Sequence, residues 1–400
     1  MPTETSQRET FAWRPTDEQR AATNVGRLAR ALGCRDYAAL HRVSLDEPDR
    51  FWRAVVSDLG IPLVRDWDAV LDDSRGIEWT TWFQGGRLNV ADACVHRWAR
   101  ELPDEEAAVW APEEGERRSL TWSELSFEVR RLAEALRELG VEKGDVVGTF
   151  LPMAPEAAIA SHACAHIGAV QAPVFSGFAG PAVSSRLADG GAKVVLTADA
   201  SYRRGKLVPM KQVLDEALLD APNVERVVVW RRAGSQCPMA EGRDLWWDEL
   251  VSDRPGTLDP LAVDSEAPYL LAYTSGTTGR PKGAVHVQGG FLLSIARETA
   301  YQADVRAGDR VLFSTDMGWI MGPWTVVGAG ALGATIVFME GAPDRPVDRL
   351  WTLVERERIT MLGVSPTLVR ALIPHGEPQA DLSSLRTVVT TGEPWNRGPY

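Results

Sequence analysis

Short apolar runs alternate with segments of helical periodicity over most of the chain. The clearest helix begins at the capping box Thr121-x-x-Glu124 and ends at Gly140, with apolar side chains repeating every three or four residues. The predicted strands are 145–150, 168–175, 193–196, 226–230, 310–314, 335–339, 360–364 and 387–390. Strands separated by helices need crossover connections. The pattern therefore predicts an α/β fold with mostly parallel sheets covered on both faces.

The first part of the chain shows helical periodicity without strand runs. Charged residues and alanines over 18–33 predict a surface helix. Over 44–60, Ser44 is a candidate cap, and Phe51, Val55 and Leu59 lie on one face, which predicts an amphipathic helix.

These patterns predict a helical N-terminal region over 1–85 and a large domain over 86–400. A polar stretch at 231–266 interrupts the alternation of strands and helices. We therefore expect two packed α/β subdomains, at about 86–235 and 265–400.

Composition and charge exclude several classes of partner. The chain has 44% hydrophobic and 24% charged residues, which is typical of a globular protein, and its formal net charge is −12. This charge argues against binding to nucleic acid or to an anionic membrane surface.

The cysteines lack metal-ligand spacing and the N-terminus lacks an apolar signal segment, so we predict a cytoplasmic protein. The apolar stretch 157–174 contains histidines and is interpreted as a core helix leading into a strand.

One segment carries recognisable chemistry. Residues 273–283 read YTSGTTGRPKG and follow the apolar run 269–272, as expected of a strand that opens into a loop. The glycines allow backbone N–H groups to approach an anion, the hydroxyls add donors, and Lys282 adds a positive charge. Pro281 stands before the lysine, so the spacing differs from that of the common nucleotide-binding loop. A glycine-rich turn with exposed hydroxyls is the alternative.

The segment resembles the phosphate-binding signature of AMP-forming acyl-CoA synthetases and related adenylating enzymes. The surrounding sequence, from about Trp82 onward, is most similar to the acetyl-CoA synthetase branch. The resemblance implies the large N-terminal domain of the adenylate-forming fold, with Thr274 and Lys282 as catalytic residues. The implied phosphate-binding residues are Thr274, Ser275, Gly276, Thr277, Thr278, Gly279 and Lys282.

Two further loops follow predicted strands. The first, TDMGWIMGPW at 315–324, could wall a small apolar pocket, although core packing is the alternative for any single tryptophan. The second is TGEPWN at 391–396. The resemblance implies an acyl pocket formed by Trp319, Ile320, Met321 and Thr391. It also implies nucleotide contacts from Gly392, Glu393 and Pro394.

Positive charge is concentrated in the segment SYRRGKLVPMK at 201–211. A solvated basic face is the alternative interpretation. The resemblance places coenzyme A, through its 3′-phosphate, at Arg203, Arg204, Gly205 and Lys206, with Asp344 near the coenzyme by position. It also places the loop 175–178 near the same molecule.

The implied reaction has two steps. A short-chain carboxylic acid and ATP, with Mg²⁺, give an acyl-adenylate and pyrophosphate, and coenzyme A then displaces AMP. Family members continue past the TGEP segment with adenine, ribose and metal contacts and a small domain that carries a catalytic lysine. We therefore expect this chain to be an N-terminal fragment without turnover of its own. A carrier-protein-loading enzyme and a non-catalytic nucleotide-binding module are the alternatives, and the sequence leaves the acid and the oligomeric state open.

Overall fold

The computed structural model describes residues 14–274 and 281–395 of the 400-residue chain. Its helices are α1 (Asp17–Ala22), α2 (Asn24–Ala31), α3 (Tyr37–Asp46), α4 (Pro48–Leu59), α5 (Arg97–Glu101), α6 (Trp122–Glu138), α7 (Pro155–Ile167), α8 (Gly180–Gly190), α9 (Met210–Leu218), α10 (Trp247–Val251), α11 (Gln288–Tyr301), α12 (Met321–Leu332), α13 (Arg349–Glu357) and α14 (Pro366–Leu372). Single helical turns of other types cover Ile77–Trp79, Asp92–His96 and Ile373–His375.

The strands alternate with these helices over most of the chain. They are β1 (Ala69–Asp72), β2 (Thr81–Gln84), β3 (Arg87–Leu88), β4 (Glu106–Ala111), β5 (Arg118–Thr121), β6 (Val146–Phe150), β7 (Val170–Pro173), β8 (Val194–Ala198), β9 (Ser201–Arg203), β10 (Lys206–Val208), β11 (Arg226–Trp230), β12 (Asp244–Trp246), β13 (Val263–Asp264), β14 (Pro268–Thr274), β15 (Lys282–Val287), β16 (Arg310–Phe313), β17 (Thr335–Met339), β18 (Met361–Val364) and β19 (Thr387–Thr390).

Two large sheets organise the described residues. The first sheet has the order β12-β11-β8-β6-β7-β14-β15, and the second has the order β19-β18-β16-β17-β4-β5. In each sheet the final pair, β14 with β15 or β4 with β5, is antiparallel, and the other neighbours are parallel. The predicted α/β class with mostly parallel sheets is confirmed.

The sheets cross the boundary predicted between the subdomains. Strands β4 and β5 fall within 86–235, yet they belong to the second sheet, while β14 and β15 fall within 265–400 and complete the first sheet. Strand pairing depends on which apolar faces pack together, and sequence order does not reveal that. The main core accordingly joins Trp52 of the N-terminal helices, Val147 of the first sheet and Ile336 of the second.

Local sequence signals explain where many elements begin and end. The Thr121 hydroxyl accepts from the Glu124 N–H (3.2 Å), and the Glu124 carboxylate accepts from the Thr121 N–H (2.8 Å), which completes the predicted capping box of α6. Helix α7 begins with Pro155 and is capped at its C-terminus by Gly168, whose φ of 74° requires a residue that tolerates the left-handed region.

Two predictions for the N-terminal helices were wrong. Ser44 lies inside α3 instead of capping a helix, and α4 begins only at Pro48, because proline lacks an N–H and its ring blocks continuation of the preceding helix. The helix expected over 18–33 is divided at Thr23, whose hydroxyl accepts from the Gly26 N–H (3.1 Å) and starts α2.

The apolar stretch around α7 lies in the protein core, as predicted. Every residue of Pro155–Ile167 is buried. Across the described part of the chain, no helix combines the length and the apolar character that crossing a membrane requires.

Buried histidines lie where α7 meets α6 and the turn before α5. His96 is within hydrogen-bond distance of the Ser126 hydroxyl (2.8 Å) and of His166 (2.9 Å). His162 is 1% exposed, and its Nδ1 has no hydrogen-bond partner among the described residues. Burial lowers the pKa of His162 to about 4, and burial together with Arg130 lowers the pKa of His166 to about 4.

We expect the free energy of unfolding to fall as the pH drops below about 6.5. Below that pH the histidines of the unfolded chain bind protons, whereas the buried histidines of the folded chain stay neutral until the pH approaches 4. For His162 alone the loss between pH 6.5 and 5 is about 2 kcal/mol of unfolding free energy. Chemical denaturation at several pH values, comparing the parent with His162→Gln, should show a shallower pH dependence in the variant. The exposed His41 supplies the control His41→Gln. Equal slopes for the parent and His162→Gln would contradict the expectation.

Candidate functional site

Strands of both sheets end at one cavity of about 620 Å³. Its walls include Met153 after β6, Phe175 after β7, Asp316 after β16, Glu340 after β17 and Thr391 after β19. Ligands of open α/β sheets bind beyond the carboxyl ends of the strands, and the volume lies in the usual range of small-molecule sites, roughly 300–1,000 Å³. The cavity is therefore the candidate site.

Two loops from different sheets form one side of the cavity. A Cβ at Gly318 would lie 2.2 Å from the backbone nitrogen of Phe175, so only glycine allows this approach. The buried Asp316 carboxylate accepts from the Ser176 hydroxyl (2.5 Å) and from the Gly318 N–H (2.9 Å). Burial raises the pKa of Asp316, although these donors oppose the shift. The two loops are thus fixed to each other.

The residues predicted for the acyl pocket all line this cavity. Trp319 is 53% exposed, and its ring centroid lies 5.7 Å from that of Phe175. Ile320 follows it, and Met321 is the first residue of α12, a helix start that the sequence prediction missed. Thr391 reaches the same cavity from the end of β19. The result is an apolar wall with a threonine at its margin.

The basic segment forms the β9–β10 hairpin at the edge of the cavity. Arg203 and Arg204 line the cavity, and Lys206 is paired in register with Arg203. Arg204 forms an ion pair with Asp344 (3.0 Å), which places Asp344 beside the hairpin. Gly205 occupies the turn, with a φ of 69°. The predicted coenzyme A residues are therefore close together in space.

The TGEP segment contributes unequally to the cavity. Gly392 lines it and has a φ of 93°. The Glu393 carboxylate accepts from the Thr367 N–H (2.7 Å), from the Thr367 hydroxyl and from Arg370. The Thr367 hydroxyl and the Arg370 guanidinium lower the pKa of Glu393. Pro394 is exposed. Glu393 thus fixes the segment to the first turn of α14.

The ends of the predicted phosphate-binding loop lie opposite each other. Thr274, the last residue of β14, pairs with Lys282, the first residue of β15, and both are exposed. Because β14 runs parallel to β7, the loop leaves the same sheet edge as the Phe175 loop. Ser275, Gly276, Thr277, Thr278 and Gly279 lie outside the described residues.

Arg186 of α8 lies between the base of that loop and Phe178 of the loop after β7. Its guanidinium lies 4.3 Å from the Phe178 ring centroid and 5.8 Å from that of Tyr273. The Tyr273 hydroxyl donates to Asp189 (2.8 Å). Sequence reasoning missed Arg186 because nothing in the spacing of α8 marks it.

Other missed residues are acidic. Asp316 follows the predicted strand 310–314 closely, so its position at a strand end could have identified it. Glu113 accepts from the Gly205 N–H, and Glu340 pairs with Arg232 (2.8 Å), yet both contacts join residues far apart in sequence. Among the described residues, no three His, Cys, Asp or Glu side chains form a cluster that could hold a metal ion.

Comparisons with known proteins agree with this architecture. Residues 95–398 match the model described as AMP-binding enzyme, and residues 37–94 match the acetyl-coenzyme A synthetase N-terminus model. The structure of acetoacetyl-CoA synthetase from Streptomyces lividans has a TM-score of 0.90 at 32% identity, over 97% of this chain and 60% of that one. The resemblance to this family and the expected fold are confirmed.

Curated relatives are similar over nearly the whole chain. The 3-hydroxypropionyl-coenzyme A synthetase of Sulfurisphaera tokodaii is 42% identical over 376 residues, which cover 92% of this chain and 56% of the relative. The acetyl-coenzyme A synthetase of Deinococcus radiodurans is 42% identical over 395 residues, which cover 97% of this chain and 59% of the relative. The chain thus spans less than two thirds of the length of these relatives. Since the AMP-binding enzyme model matches most of its residues, the chain belongs to the AMP-binding enzyme family.

Proposed function

We propose that this protein activates a short-chain carboxylic acid with ATP and passes the acyl group to coenzyme A. The observation that carries the proposal is the meeting of an apolar wall, the TGEP segment and a basic hairpin at one cavity. The similar proteins, named as synthetases of acetyl-, 3-hydroxypropionyl- and acetoacetyl-coenzyme A, support a small acid as substrate.

In the first step, a carboxylate oxygen of the acid attacks the α-phosphorus of ATP. The bond from this phosphorus to the oxygen that bridges it to the β-phosphorus breaks, and pyrophosphate leaves. Lys282 and Thr274 at the ends of the phosphate loop would stabilise the negative charge of the departing phosphates. The wall formed by Trp319, Ile320 and Met321 would hold the acyl chain away from water.

In the second step, the thiol sulfur of coenzyme A attacks the carbonyl carbon of the acyl-adenylate. The thiol loses its proton, the bond from carbon to the phosphate oxygen breaks, and AMP leaves. The hairpin that carries Arg203, Arg204 and Lys206 would bind the 3′-phosphate, a group for which guanidinium side chains are well suited. A phosphopantetheine on a carrier protein lacks this phosphate, so the hairpin favours coenzyme A.

Magnesium would accompany the phosphates of ATP. The described residues offer no set of three acidic, histidine or cysteine side chains for it, so no step is assigned to the ion. The four cysteines are free thiols, which supports a reducing cytoplasm as the location of the protein.

Alkyl esters of AMP test the proposal, because they imitate the acyl-adenylate and their binding requires no turnover. We expect the propyl ester of AMP to bind roughly tenfold more tightly than AMP, since its alkyl group would enter the apolar wall. Isothermal titration calorimetry measures both affinities. Equal affinities would contradict the proposed acyl pocket. Together with ATP binding, that result would favour a non-catalytic nucleotide-binding module.

The role of Lys282 is tested by comparing ATP with the AMP propyl ester, which lacks the β- and γ-phosphates. Lys282→Ala should weaken ATP binding about tenfold and leave ester binding unchanged, because only ATP carries the phosphates that the lysine would contact. Lys143→Ala, at another exposed lysine, is the matched control. Equal losses for the two ligands would assign Lys282 a structural role instead.

Acid size is tested at Met321. Met321→Thr removes apolar volume from the wall, so AMP esters longer than the one the parent prefers should gain about fourfold in relative affinity for each added methylene that fits. The control is Met239→Thr, because Met239 lies away from the cavity beside β12. A chain-length profile identical to that of the parent would remove Met321 from the acyl pocket.

A further inference from the structure

The tip of the β9–β10 hairpin has a demanding backbone conformation. Arg203 pairs with Lys206, so the turn consists of Arg204 and Gly205 alone. Their φ angles are 53° and 69°. Two left-handed residues suit a tight hairpin, but the first position favours Gly, Asn or Asp over arginine. A contact from outside the hairpin would therefore stabilise this turn.

Glu113 supplies that support from the end of β4 in the second large sheet. It follows β4, and its carboxylate accepts from the N–H of Gly205 and from the N–H of Ala342 (2.6 Å). A Cβ at Gly341 would lie 2.1 Å from a Glu113 carboxylate oxygen, so glycine there leaves room for the acid. One carboxylate thus joins the hairpin turn to the loop after β17.

The charge state of Glu113 fits this role. Burial acts to raise the pKa of its carboxyl, but the N–H groups of Ala342, Gly205 and Arg204 outweigh burial and hold that pKa below its usual value. The side chain is therefore a carboxylate at neutral pH, and it accepts hydrogen bonds from the backbone of the two loops it joins.

Cations surround the tip that Glu113 holds. Arg204 is paired with Asp344 (3.0 Å), whereas Arg203, Lys206 and Arg345 have no acidic side chain within ion-pair distance among the described residues. A Cβ at Gly205 would lie 3.3 Å from a guanidinium nitrogen of Arg345, so this arginine lies against the turn.

We propose that Glu113 is a positioning residue that fixes the hairpin tip so that Arg203, Lys206 and Arg345 together bind a phosphate monoester. The proposal rests on the proposed function, in which that monoester is the 3′-phosphate of coenzyme A. Glu113 itself does not touch the ligand. It acts by fixing the turn, and without it the three cations would no longer converge on one dianion.

The test compares coenzyme A with 3′-dephospho-coenzyme A, which differ only in the phosphate concerned. Calorimetry on the full chain should show a preference of about tenfold for coenzyme A in the parent. Glu113→Gln, which keeps the shape but loses the charge and one acceptor, should reduce the preference to roughly twofold and leave dephospho-coenzyme A binding unchanged. The adjacent exposed Glu114 supplies the matched control Glu114→Gln, which should keep the parental preference.

The results distinguish a failure of the hairpin as a coenzyme A site from a failure of the positioning role of Glu113. If neither the parent nor Arg203→Ala discriminates between the ligands, the assignment of the hairpin to coenzyme A fails. If Arg203→Ala abolishes the preference while Glu113→Gln retains it, or if Glu113→Gln weakens both ligands equally, the positioning role of Glu113 is overturned. Should Glu113→Gln not fold, Glu113→Asp decides, because it keeps the charge with a shorter reach and should lose part of the preference. A parental preference in that variant would also overturn the role.

Discussion

A buried ion pair joins the two sheets beside the cavity. Arg232, just after β11 of the first sheet, donates to Glu340, just after β17 of the second (2.8 Å), and their side chains are 5% and 2% exposed. Burial raises the pKa of Glu340, and Arg232 opposes that shift. Buried charges are tolerated when they are paired, and removal of either partner would leave the other desolvated without compensation. The pair therefore fixes how the strand ends of one sheet face those of the other.

Aromatic packing reinforces this junction. The Arg232 guanidinium lies 4.4 Å from the Trp110 ring centroid, and the Arg118 guanidinium lies 5.3 Å from it. Arg118 in turn pairs with the buried Glu156 at the start of α7. Trp110 thus contacts two arginines, each bound to its own buried carboxylate. This arrangement keeps positive charge at the sheet junction without leaving it unpaired, while the hairpin cations outside remain available to a ligand.

The sequence predicted the elements better than their arrangement. Strands such as 226–230 and the cap at Thr121 follow from local periodicity and from contacts over a few residues, and the structure has them in place. The position of β4 in the second sheet, in contrast, depends on packing between segments that are distant in sequence. The contact between Glu113 and Gly205 joins residues that are 92 positions apart in the sequence, and no spacing rule relates them. The candidate site residues could be predicted from the family resemblance. The residues that hold them in position, such as Glu113, could be found only from the structure.

The contact between Asp316 and Ser176 bears on how the two proposed chemical steps would be coupled. Asp316 precedes the apolar wall, while Ser176 belongs to the loop that the resemblance places near coenzyme A. Because Gly318 lies against the Phe175 backbone, neither loop can shift without the other. In the proposed reaction, a connection of this kind would hold the acyl group and the incoming thiol in a fixed relation, which would favour direct attack over escape of the adenylate. In that reaction, the loop that forms the apolar wall would also help to set the direction from which the thiol arrives.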